Sequence, residues 1–135
     1  MKYRVEFFRP EEFICPCCHA GQIAASLAYF LDELRRAWNM PIIVNSGWRC
    51  ARHNREVGGA ERSRHLIGCA ADIKPNDPQL IGPFQNLLGD MAGRREGWEI
   101  KNYQRFCHVA VPREEEAQKW GGGLLHIAAK SATPA

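Results

Sequence analysis

No apolar run in this 135-residue chain approaches the ~18 residues that a membrane helix needs, which argues against membrane insertion. The opening residues, Met1-Lys2-Tyr3-Arg4-Val5-Glu6, lack the apolar stretch of a secretory signal. The chain is therefore expected to be made in the cytoplasm, with its site of action left open. Charge of one sign is also scarce. The net charge is +3, and the arginines are spread along the chain instead of forming a stripe with interleaved aromatics, so nucleic acid is not an expected partner. Internal repeats and linker-like stretches are missing as well, which leaves a single domain over residues 1–135. At that length a chain buries enough surface to fold without staples. Nothing in it sets an oligomeric state.

What is present reads as a mixed fold. Ile23, Leu27, Phe30, Leu31, Leu34 and Trp38 recur at the spacing of one buried helical stripe, predicting a helix over 23–38. Pro41-Ile42-Ile43-Val44 before Asn45-Ser46-Gly47 reads as a strand ending in a turn. A short helix fits Arg52 to Val57, stopped by Gly58-Gly59, and a strand fits Ala70 to Ile73. Leu80, Phe84, Leu87, Leu88 and Met91 predict a second helix, with Pro83 expected to confine its regular part to the residues that follow. Short strands are expected near Trp98–Ile100 and Phe106–Val111. Glu114-Glu115-Glu116 reads as a solvated helix start, and residues 121–135 as a frayed tail. These elements make an α+β domain.

The chemistry concentrates in Ser63-Arg64-His65-Leu66-Ile67-Gly68-Cys69-Ala70-Ala71-Asp72. Imidazole and carboxylate are good zinc ligands, and a turn at Gly68 can bring His65 back to an Asp72 on the strand beyond it. The stretch resembles the D-alanyl-D-alanine carboxypeptidase-type zinc peptidases, whose signature Ser-x-His-x-x-Gly-x-Ala-x-Asp it matches at every fixed position. The resemblance extends to Glu12 through Cys18, Ile42 through Cys50, His53-Asn54, Val57 through Ala60, and Tyr103 through Val111, with Trp120 resembling a tryptophan beyond, so it covers about residues 11–120.

That resemblance implies a small, mainly antiparallel central sheet with helices around it and a zinc cleft. It implies His65, Asp72 and His108 as ligands of one catalytic zinc, Arg49 as the holder of a substrate carboxylate, and Ser63 as a further substrate contact. The implied substrate is a peptidoglycan peptide, cut by a carboxypeptidase or endopeptidase. The alternative is a catalytically impaired binding module, part of a phage assembly, because two acid positions of the family are occupied here by Ala110 and Arg105. Glu99, the nearest upstream acid, is the candidate general base. Cys15, Cys17, Cys18 and Cys50 can hold a second, structural zinc or form a disulfide, although two separated Cys-x-x-Cys pairs are lacking. Cys69 and Cys107 are expected as buried thiols beside the metal strands. His19, His53 and His126 are expected in structural or exposed roles.

Overall fold

The computed structural model describes residues 3–115, 117–119 and 125–127. Its centre is a four-stranded antiparallel sheet in the order β3-β4-β6-β5, built from Ile42–Ser46 (β3), Ala70–Pro75 (β4), Glu99–Asn102 (β5) and Cys107–Ala110 (β6). Helices α1 (Ala25–Trp38) and α3 (Ile81–Ala92) pack on one face, and a short helix α2 (Ala51–Glu56) follows β3. Gln22–Ala24 (β2) pairs antiparallel with Ala117–Lys119 (β7), and Tyr3–Val5 (β1) pairs parallel with Leu125–Ile127 (β8).

Strand periodicity explains how two short strands can be core and active surface at once. Successive side chains point to opposite faces. Cys69, Ala71 and Ile73, with Cys107, Val109 and Val111, therefore enter the core against Leu27, Phe30, Leu31, Leu34, Phe84 and Leu88. The intervening Asp72 and His108 face the other way, and they are direct partners in the β4–β6 register. Cys69 and Cys107 are fully buried, as expected.

The first helix begins at Ala25 and not at Ile23, because Gln22–Ala24 is drawn into strand pairing with β7. The second starts at Ile81 and contains Pro83 in its first turn, where a missing N–H costs nothing since that position has no intrahelical acceptor. Glu114 and Glu115 lie in a turn leading towards β7, not at a helix start. Trp120 lies outside the described residues, and of 121–135 only Leu125–Ile127 falls among them.

One buried acid had no place in the periodic pattern. Asp32, on α1, is 1% exposed and accepts hydrogen bonds from the backbone N–H groups of Glu6 and Phe7, while Arg36 Nη2 approaches at 3.1 Å. A buried carboxylate with backbone donors and a cation is satisfied, and here it ties the chain after β1 to α1.

Candidate metal centre

Three elements bring the site together. Ser63 caps the 3-10 turn Arg64–Ile67 by accepting from the N–H of His65, and Gly68, at φ 76°, reverses the chain into β4. That left-handed turn is open to glycine without steric cost, and it lets His65 fold back over Asp72. His108 arrives from β6 opposite Asp72.

The hydrogen-bond partners set the tautomers. His65 Nδ1 lies 2.7 Å from the carbonyl oxygen of Gly47, which can only accept, so Nδ1 carries the proton. His108 Nε2 lies 3.0 Å from Glu99 Oε1, again an acceptor, so Nε2 carries the proton there. In neutral rings this leaves lone pairs on His65 Nε2 and His108 Nδ1. Both face the same oxygen, Asp72 Oδ1, at 3.1 and 3.0 Å. Three electron-rich atoms converging in a buried place repel one another unless a cation joins them. A tetrahedral ion with bonds of about 2.0–2.1 Å separates its ligand atoms by about 3.3 Å, close to the 3.1 and 3.0 Å at which the two nitrogens stand from Asp72 Oδ1. The donor set thus fits a divalent metal, and Gly47 and Glu99 are the outer partners that orient its imidazoles.

Asp72 is prepared as an anion. Burial opposes its ionisation, but protons donated by the His108 and His65 rings, where no metal takes the place of those protons, outweigh that and hold the carboxyl well below the usual carboxylate range. Its second oxygen accepts from Arg49 Nη2 at 3.1 Å. Arg49 in turn donates through Nε to Ser46 Oγ and through Nη1 to Asn54 Oδ1. Among the described residues, three of the five N–H donors of this guanidinium are engaged, leaving one on each terminal nitrogen. Asn54 is 3% exposed and also donates to the carbonyl of Ala60. Its role was hidden in the sequence, where only the His53-Asn54 resemblance pointed at it.

The expected residues His65, Asp72, His108, Arg49, Ser63 and Glu99 all line one cleft of about 510 Å³. Arg62, Lys101 and Arg113 add positive charge to its walls, against the carboxylates Asp72 and Glu99. Ala110, at the position where an acid was looked for, is paired across the sheet with Glu99. The carboxylate on this face therefore comes from the neighbouring strand. Arg105 is exposed and outside the cleft lining. His53 Nδ1 lies 3.9 Å from Glu56, and His19 is exposed at φ 61°.

The four remaining cysteines also meet. The sulfur atoms of Cys15, Cys17, Cys18 and Cys50 all lie within 4.8 Å of one another. Cys69 and Cys107 stay apart from them; burial pushes the Cys107 thiol up to about 11.

Two histidines and an aspartate thus converge in one cleft of an antiparallel α+β domain, a donor set that fits a single divalent ion. The chain belongs to the peptidase M15 family, whose model matches residues 6–110. Over 44 residues it is 48% identical to the zinc D-Ala-D-Ala carboxypeptidase of Streptomyces albus G, a match covering 32% of this chain and 17% of that relative. The chain thus aligns with a small part of that relative's length.

Proposed function

We propose that this protein is a zinc-dependent peptidase of the carboxypeptidase or endopeptidase type, acting on the stem peptides of bacterial peptidoglycan. The observation that carries the reading is the convergence of His65 Nε2, Asp72 Oδ1 and His108 Nδ1, with each imidazole proton already committed to an outer acceptor. The M15 family membership and the local likeness to a zinc D-Ala-D-Ala carboxypeptidase support zinc as the metal and a wall peptide as the substrate. Bound there, zinc supplies Lewis acidity at a scissile carbonyl and acidifies a water for attack.

The chain's own residues do the rest. The two uncommitted N–H groups of Arg49 can fork onto a substrate carboxylate, and the Ser63 hydroxyl, which uses its oxygen as an acceptor, keeps its proton to donate. The arginines and lysine of the cleft walls favour a peptide carrying several carboxylates, as stem peptides do. Glu99 is the proton acceptor in this reading: it takes the proton of the attacking water and returns it to the leaving amine. Its hydrogen bond to His108 gives it a second task, holding that ring.

That shared duty favours one rival reading, a module that keeps metal and cleft but binds wall peptides without cutting them. Glu99→Gln separates the two. Gln retains an acceptor towards His108 but cannot take a proton, so the variant is expected to hold zinc and bind stem peptides while hydrolysis falls by about 10²–10⁴-fold. Wild-type protein that binds zinc and stem peptides yet releases no product would establish the binding module instead.

A further inference from the structure

We propose that Cys15, Cys17, Cys18 and Cys50 form a second metal site, a four-thiolate zinc site distinct from the histidine centre, that clasps the segment before β2 to the turn before α2. It is independent of the peptidase reading. Its ligands come from two places 32 or more residues apart in sequence, yet Cys17 Sγ lies 3.2 Å and Cys15 Sγ 3.7 Å from Cys50 Sγ. Zinc–sulfur bonds of about 2.3 Å in a tetrahedron set sulfurs about 3.8 Å apart, so the cluster needs little adjustment to enclose an ion.

The backbone is arranged around sulfur. The N–H of His53, in the first turn of α2, lies 3.4 Å from the Cys50 sulfur. Such a donor stabilises thiolate charge, of which four ligands on a divalent ion leave an excess. The loop itself is a tight knuckle. Cys15 N–H donates to Ala20 and accepts through its carbonyl from His19, which takes the left-handed φ of 61° that closes the turn. Cys15 is fully buried whereas Cys17 and Cys18 are exposed, so the ligand cage opens to solvent on one side, where an ion can enter.

The site has a mechanical consequence. Between the knuckle and Cys50 runs Gly47, where an added Cβ would lie 2.6 Å from the Phe13 backbone, and Trp48 N–H donates to the Phe13 carbonyl. Gly47 supplies the carbonyl that orients His65. A metal clasping Cys50 to the knuckle therefore fixes both Arg49 and the Gly47 carbonyl beside the histidine centre.

The test uses the full chain, purified with a phosphine reductant, loaded with zinc or cobalt(II) and desalted. Wild type is expected to carry about two ions per chain, and the cobalt form to show intense thiolate-to-cobalt charge-transfer bands, which a His–Asp–His site lacks. His65→Ala/His108→Ala should keep one ion and those bands; Cys17→Ser/Cys18→Ser should lose one ion and the bands. Should the cysteine variant fail to fold, the wild-type spectrum still decides. Cobalt-loaded wild type without thiolate bands, or a Cys17–Cys50 disulfide that persists in protein isolated with zinc, overturns the proposal.

Discussion

Gly59→Ala probes the support of the proposed metal centre without touching a proposed ligand. A Cβ built on Gly59 lies 2.1 Å from Asn54 Oδ1 and 3.0 Å from Arg49 Nη1. Asn54 is buried and held from both sides, through its own backbone carbonyl, which accepts from the Gly59 N–H, and its amide, which donates to Ala60. It cannot swing aside without giving up the Arg49 contact. Overpacking of this kind costs about 1–3 kcal/mol. Release of Arg49 from Asn54 then loosens its grip on Asp72, and losing an outer partner of a metal ligand typically weakens metal binding about 10–100-fold. The assay is chemical unfolding of the metal-free proteins, together with zinc competition against a chromophoric chelator, both in a Cys17→Ser/Cys18→Ser background so that only the histidine centre is titrated. Gly58→Ala is the control. Nothing lies within 4 Å of its added Cβ, so it suffers only the left-handed φ of 73°, about 1–2 kcal/mol, and leaves zinc affinity unchanged. Wild-type stability and zinc affinity in Gly59→Ala would show that Asn54 and Arg49 do not support the cluster in this way, as would equal loss of affinity in both variants.

Three further outcomes follow from the packing and the pKa directions. Asp32→Ala leaves the N–H groups of Glu6 and Phe7 without their acceptor and is expected to cost about 3 kcal/mol in urea unfolding, with little change in zinc affinity. Leu31→Ala, at a fully buried position of α1, should cost about 2–5 kcal/mol by the same measurement. Burial raises the Cys107 thiol to about 11, so at pH 8 it remains protonated as well as enclosed. Mass spectrometry after iodoacetamide treatment of native protein should find Cys107 unmodified, and labelling should appear only once denaturant exposes it.

Much of the arrangement was legible because its signals are local. The apolar spacing in 27–34 marks a buried helical face whatever surrounds it, and Ala70–Ile73 reads as a strand from its own residues. The site residues were found through the resemblance, since spacing alone could not say that His65 and His108 share one oxygen of Asp72. What stayed hidden depends on distant partners. Gln22–Ala24 is a strand only because β7 lies alongside it, and Asp32 is buried only because the chain after β1 brings two N–H groups to it. Arg49 was expected to face a substrate carboxylate; its first partner is Asp72, with Asn54 behind it, a relay that only the folded chain assembles. Glu99 likewise meets His108 because β5 pairs with β6.

A crystal structure of zinc-loaded protein, with anomalous data collected on both sides of the zinc edge, would show whether and where the ion binds. A peak is expected in the cleft about 2.0–2.2 Å from His65 Nε2, Asp72 Oδ1 and His108 Nδ1, with His65 Nδ1 still on Gly47 and His108 Nε2 still on Glu99. A cleft without zinc, or an ion held through the opposite ring nitrogens, would contradict the proposed centre.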